Sequence, residues 1–187
     1  MAEALYTIGH GARTLDELAA ALAAARVEAL VDVRAFPRSR RHPQFNRAAL
    51  ASGLGVRGIR YEWAGGDFGG RRPPHPDSRH TALALQVRGF ADYMATGAFR
   101  AALERLLART AHERVAIMCA EREPLECHRA LIADAALARG TRVVHLGVAG
   151  RERPARLDPA ARVVDGVLLY DGGQVRLPGG DGASSSG

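Results

Sequence analysis

The stretch that most constrains the fold is Val115-Ala-Ile-Met-Cys-Ala-Glu-Arg-Glu-Pro-Leu-Glu-Cys-His-Arg129. Val115 to Met118 is an unbroken apolar run, the pattern of a buried strand. It stops at Cys119. A charged loop follows, and Pro124 then stands where a first helical turn tolerates a missing N–H. The expected helix runs from about Pro124 to Ala138 and stops at Gly140. One thiol is thereby set at the carboxyl end of a strand. A second, Cys127, falls with His128 and Arg129 in the first turns of the following helix. In open α/β sheets, the crevice beyond the carboxyl ends of the strands is where ligands bind.

The preceding chain supplies the rest of such a sheet. Leu5 to Ile8 is a short apolar strand, and Gly9 to Arg13 a flexible turn. Thr14 with Glu17 makes a helical capping box, and Leu15, Leu18, Leu22 and Ala25 recur at helical spacing. Ala29 to Val33 is the next strand. Strand, helix, strand in so short a span predicts a parallel, right-handed βαβ unit. Arg34 to Pro43 is a loop, and Asn46 is placed to cap a short helix through about Ser52. A third strand is expected at Gly58 to Trp63. Ala64 to His80, rich in Gly, Pro and Arg, carries no expected element. Helices follow at about Ala84–Ala95 and Phe99–Arg109, and a further strand at Arg142–Leu146. Strands joined by Asp-Gly turns are expected from Val163 to Leu177.

These elements predict an α/β fold: one three-layer domain over residues 1–178, with a mostly parallel twisted sheet. The core is residues 5–147, residues 160–178 form a hairpin-like extension, and a Gly/Ser-rich tail over 179–187 is disordered. The length of 187 residues fits one domain with a real core, and 47% hydrophobic with 25% charged residues excludes a disordered chain. No apolar run reaches the roughly 20 residues of a membrane span. With no signal-peptide pattern at the amino terminus and only two cysteines, a cytoplasmic protein is expected. The net charge is +6, and every basic side chain is arginine. Arginine's planar fork suits phosphate and carboxylate, so the expected partner is a small anionic or phosphorylated ligand, with nucleic acid as another. Nothing in the sequence fixes an oligomeric state.

Parallel strands place their carboxyl ends together. That topology gathers His10 and Arg13 after the first strand, Arg34 after the second, Glu62 in the third and Cys119 after the fourth around one crevice. Thr7-Ile-Gly-His10 with Arg13, Asp32-Val-Arg34 with Pro37, Ser39 and Arg40, and Cys119-Ala-Glu121 with Cys127-His-Arg129 resemble the signatures of the DUF488 family of bacterial proteins. The resemblance runs from about residue 5 to 147 and implies a compact α/β domain. Gly11 and Ala12 stand where that family often carries polar residues.

Cys119 is the candidate nucleophile: a thiol facing a helix N-terminus and arginines gains thiolate character, whereas a buried one is only a small hydrophobe. Leu125 stands where the Cys-x5-Arg loop of tyrosine phosphatases needs arginine. His128 and His10 are the candidate general acid–base groups, and Glu121 is placed to orient one of them. Arg34, Arg129, Arg13 and Arg40 are the candidate anion-binding groups, and Cys127 the candidate redox partner of Cys119. Asp32, flanked by valines, suits a buried pair with an arginine. Gly65 to Arg72 can wrap a phosphate with backbone N–H groups or act as a plain connection. Tyr61, Trp63 and Phe68 can stack on a base or fill the core. Neither a metal nor a cofactor is expected. The pattern thus points to a cysteine-dependent hydrolase or transferase acting on an anionic, phosphate- or nucleotide-containing substrate. The alternatives are a non-catalytic nucleic-acid-binding module and a regulatory module that binds a small anion.

Overall fold

The computed structural model describes residues 4–124 and 127–172. Its centre is a six-stranded sheet built from β1 (Ala4–Gly9), β2 (Ala29–Asp32), β3 (Arg60–Trp63), β4 (Val115–Cys119), β5 (Arg142–Leu146) and β6 (Glu152–Pro154). Their order is β3-β2-β4-β1-β5-β6, and all pairings are parallel except that of β5 with β6. The fully buried runs Leu5–Ile8, Ala29–Asp32 and Val115–Cys119 form the centre, as a sheet covered on both faces requires. Val31, Val33, Ile117 and Cys119 point to one face, and Ile8, Leu30 and Met118 to the other. This alternation is the period of two that a strand imposes on its side chains.

On the second of these faces lie α1 (Leu15–Ala24) and α2 (Arg47–Gly55). The Thr14–Glu17 capping box starts α1 as its sequence predicts. Against the first face lie α4 (Leu85–Met94), α5 (Gly97–Arg109) and α6 (Arg129–Leu137), after the single turn α3 (Gly65–Phe68). The architecture is therefore a three-layer α/β sandwich. A separate antiparallel hairpin, β7 (Ala161–Val164) and β8 (Val167–Tyr170), turns at Asp165-Gly166, where both residues have positive φ. Leu168 and Tyr170 of β8 join the α4/α5/α6 core, and the Tyr170 hydroxyl donates to Asp134 at 2.9 Å. Among the described residues, no helix is long and apolar enough to cross a membrane.

Several local expectations are corrected. The helix after β4 begins at Arg129, not near Pro124. The Cys127 N–H donates to the Pro124 carbonyl and that of Ala130 to the Cys127 carbonyl, tight turns that precede the helix. Cys127 and His128 thus stand before α6. Asn46 occupies the N-cap of α2, but its side chain makes no cap bond; its Oδ1 accepts the Ser39 N–H at 2.6 Å. The stretch expected to hold no element contains α3. The edge strand β6 escapes sequence reading because its three residues, Glu-Arg-Pro, are exposed. The continuation of the C-terminal strands to Leu177 and the tail lie outside the described residues.

Candidate functional site

β2 ends at Asp32, whose side chain is buried in the sheet centre. The chain then turns so that Arg34 folds back on it. Arg34 Nε donates to Asp32 Oδ1 at 2.8 Å and Nη2 to Oδ2 at 2.6 Å, a bidentate pair. Tyr61, on the neighbouring β3, donates its hydroxyl to Asp32 Oδ2 at 2.8 Å. Nη2 also reaches the Phe45 carbonyl at 2.8 Å, and Nη1 reaches His10 Nε2 at 3.2 Å. A guanidinium only donates, so His10 Nε2 accepts. His10 Nδ1 lies 2.9 Å from the Gly11 carbonyl and therefore carries the proton. The ring stacks on Phe45 at 4.1 Å. Burial pushes the His10 pKa down to about 4, which keeps it neutral. His10 and Arg34 brace one wall of a crevice of about 560 Å³ at the carboxyl ends of β1, β2 and β4.

The opposite wall carries the thiols. Gly9 is the register partner of Cys119, and the N–H groups of His10 and Gly11 bond the carbonyls of Cys119 and Ala120 at 3.0 and 2.8 Å. The turn after β1 is thus zipped to the loop after β4. A Cβ on Gly9 would lie 1.8 Å from the Glu121 carbonyl oxygen, so only glycine lets this loop approach. Cys119 Sγ, Cys127 Sγ and a Glu121 carboxylate oxygen all lie within 4.8 Å of one another. Both cysteines are buried, yet both line the crevice. Cys127 is held protonated: its contact with the Cys119 sulfur and its burial push its pKa far up. Burial works to raise the Glu121 carboxyl as well. Hydrogen bonds from Cys127, the residue's own backbone and Cys119 outweigh it, so the net shift is downward and Glu121 is ionised.

His128 Nε2 lies 3.1 Å from the Val33 carbonyl and carries the proton, leaving Nδ1 to accept 3.4 Å from Cys127 Sγ. Burial lowers its pKa. Phe90 meets the ring edge-on at 5.0 Å. Gly70 lies flat on it, since a Cβ there would sit 2.4 Å from His128 Cγ and Nδ1. The Gly65–Arg72 segment therefore packs against the site. The N–H groups of Asp67, Phe68 and Gly69 are already taken by Ala64 and Gly65 carbonyls.

Other expected members lie elsewhere. Glu62 leaves the crevice and pairs with Arg109 of α5 at 2.8 Å. Arg40 is exposed and lines no part of the crevice. Arg13, bonded to the Gly9 carbonyl, and Arg129, bonded to the Glu121 and Arg122 carbonyls at 3.2 and 3.3 Å, face a smaller neighbouring pocket. The cations on the crevice itself, besides Arg34, are Arg38, Arg71 and Arg122. Among the described residues none of these three forms an ion pair. Phe36, 69% exposed, offers an aromatic face at the same rim beneath Arg71. Tyr61 and Trp63 hold Asp32 and the Arg34 carbonyl instead, and Phe68 fills the core.

Arg71 and Gly70 were approachable from sequence only as parts of a glycine-rich loop. His42 and Phe45, which meet His10, carried no signal beyond their place in, and just after, the arginine-rich loop. Two thiols, which a metal would deprotonate, and a carboxylate at this spacing are a donor set able to hold a thiophilic ion such as zinc, with His128 Nδ1 beside them.

Comparison with curated proteins and with solved structures finds no match. A family model, "Domain of unknown function DUF488", matches residues 14–136, which include the Asp32-Val-Arg34 and Cys119…Arg129 motifs; the first-strand motif precedes the match. The chain belongs to the DUF488 family.

Proposed function

We propose that the crevice is the active site of a small enzyme, a hydrolase or transferase, acting on an anionic, phosphate-bearing substrate through Cys119. The observation that carries this reading is the pairing of a reactive wall with an uncompensated basic rim. Cys119, Cys127 and Glu121 converge within 4.8 Å, and Arg38, Arg71 and Arg122, which form no ion pair among the described residues, line the same cavity. Guanidinium groups without carboxylate partners draw in and orient an anion. A nucleobase would find the exposed ring of Phe36 beside them.

Cys119 Sγ attacks the electrophilic phosphorus or carbonyl carbon, and its proton passes to the Glu121 carboxylate. The bond to the leaving group breaks, and Glu121 returns the proton to it. The oxygen of water, for a hydrolase, or of an acceptor hydroxyl, for a transferase, then displaces the sulfur while Glu121 takes its proton and returns it to the Cys119 thiolate. The single S–H of Cys127 turns to the Cys119 sulfur when that carries charge. His10 and Arg34 position the wall rather than move protons, since each is held by buried partners.

The test is a screen of phosphate and carboxylate esters with wild-type protein and Cys119→Ser. The variant is expected to keep its fold and lose turnover by a factor on the order of 10³ or more. Undiminished turnover in Cys119→Ser would refute the nucleophile. Metal analysis of the same preparations separates this chemistry from zinc-borne hydrolysis: stoichiometric zinc that departs with either thiol would make the cysteines ligands instead.

A further inference from the structure

The chain places an unusual amount of positive charge outside the crevice. A pocket of about 100 Å³ lies between the turn after β1, the β4–α6 loop and the β5–β6 turn. Arg13, Arg122, Arg129, Arg151 and Arg153 all line it, against one carboxylate among the described residues, Glu123. That carboxylate is paired with Arg153 at 3.2 Å. Arg129 is 1% exposed, and its Nε has no hydrogen-bond partner. Its Nη2 reaches only carbonyl oxygens, and among the described residues it has no carboxylate partner. A buried guanidinium without a counter-charge is strongly disfavoured. The surroundings aggravate this: Arg122 and Arg129, after burial, lower the Arg13 pKa, and Arg129 and Arg153 do the same to His145.

Among the described residues this cluster lacks the counter-charge that an anion inside it would supply. We propose that this pocket is a second ligand site, taking a phosphate-sized oxyanion. The volume has room for one tetrahedral group, and planar forks converging from separate segments suit its oxygens. Arg122 lines both cavities, so the bound ion fixes the loop that carries Glu121 and leads to Cys127. The occupant is a free phosphate ion or the phosphoryl end of a larger ligand. The site goes beyond the crevice chemistry and stands whether or not Cys119 reacts.

The probes are inorganic phosphate and phenyl phosphate, each compared with chloride at equal ionic strength. Calorimetric titration gives affinity, and the His145 ring resonances locate the ion. Arg151 is exposed, and the Arg153 side chain is 58% exposed, so Arg151→Gln/Arg153→Gln keeps the fold. Phosphate is expected to bind wild-type protein and shift the His145 resonances. The double variant is expected to bind about tenfold more weakly or worse, as loss of two charged partners implies, whereas Arg40→Gln, exposed and lining neither cavity, binds as wild type. Phosphate bound but phenyl phosphate excluded identifies a free ion; both bound identifies a phosphoryl group. The proposal is overturned if neither probe binds beyond chloride. It is equally overturned if the double variant binds as wild type, or if Arg38→Gln alone abolishes binding, which would put the ion in the crevice.

Discussion

Removing the Asp32 carboxylate should come close to unfolding this protein. Asp32 is 0% exposed, and Arg34, its bidentate partner, is 8% exposed. In Asp32→Ala the guanidinium keeps the Phe45 carbonyl and the His10 ring but loses its one counter-charge among the described residues. Breaking one side of a buried ion pair costs about 3–5 kcal/mol, because the remaining charge stays in a poor solvent. The Tyr61 hydroxyl and the Arg34 N–H lose their acceptor as well. We expect a loss of about 4 kcal/mol, a large part of the 5–15 kcal/mol typical of a domain. At about 2–4 °C per kcal/mol, the Tm should fall by roughly 8–16 °C. Urea denaturation followed by far-UV circular dichroism measures this directly, with an unchanged m-value showing that the same surface unfolds. Asp32→Leu/Arg34→Met should recover most of the loss, since a packed apolar pair avoids desolvating both ions. A loss below about 1 kcal/mol in the single variant would refute the argument, for it would mean that water already solvates the pair.

Two further outcomes follow from the site. Gly70→Ala should push the His128 ring by about 1 Å and cost roughly 1–3 kcal/mol through overpacking and a strained bond to Val33; an unchanged Tm would mean that the ring is not held between Gly70 and Phe90. Stability should fall as pH drops below about 6.5. His10 and His145 are each held down to about 4, so the unfolded chain binds protons that the folded chain refuses. Asp134, raised by burial to about 6, acts in the opposite sense between its unfolded value and pH 6, and two imidazoles outweigh one carboxyl. Urea midpoints measured from pH 7 to 4 check this; a flat profile in the wild type would contradict the burial of both rings.

The reach of sequence reasoning differs between fold and site. The apolar runs of β1, β2 and β4 and the Thr14 capping box were legible, because each depends on neighbours a few residues away. The meeting of His10, Arg34 and Cys119 was legible too, since parallel strands bring their carboxyl ends to one side whatever their order. Glu62 shows the limit. It lies on a strand of the right direction, but β3 is the sheet edge, and its side chain reaches α5 instead. Arg13 and Arg129 share motifs with residues of the crevice yet turn to the pocket beside it, because the packed loop after β4 stands between the two cavities.

By itself, then, the sequence determined the alternation of strands and helices, the parallel sheet, and the set of polar residues available at its carboxyl edge. These follow from hydrophobic period and chain connectivity, which are local. Only the tertiary structure decided how those residues divide: Asp32 and Arg34 into a buried brace, Cys119, Cys127 and Glu121 into one cluster, and five arginines, Arg122 shared with the crevice, around a second pocket. Which partner a charged group takes depends on distances of a few ångströms between segments far apart in the chain, and the energy of that choice turns on how much water is excluded once they pack.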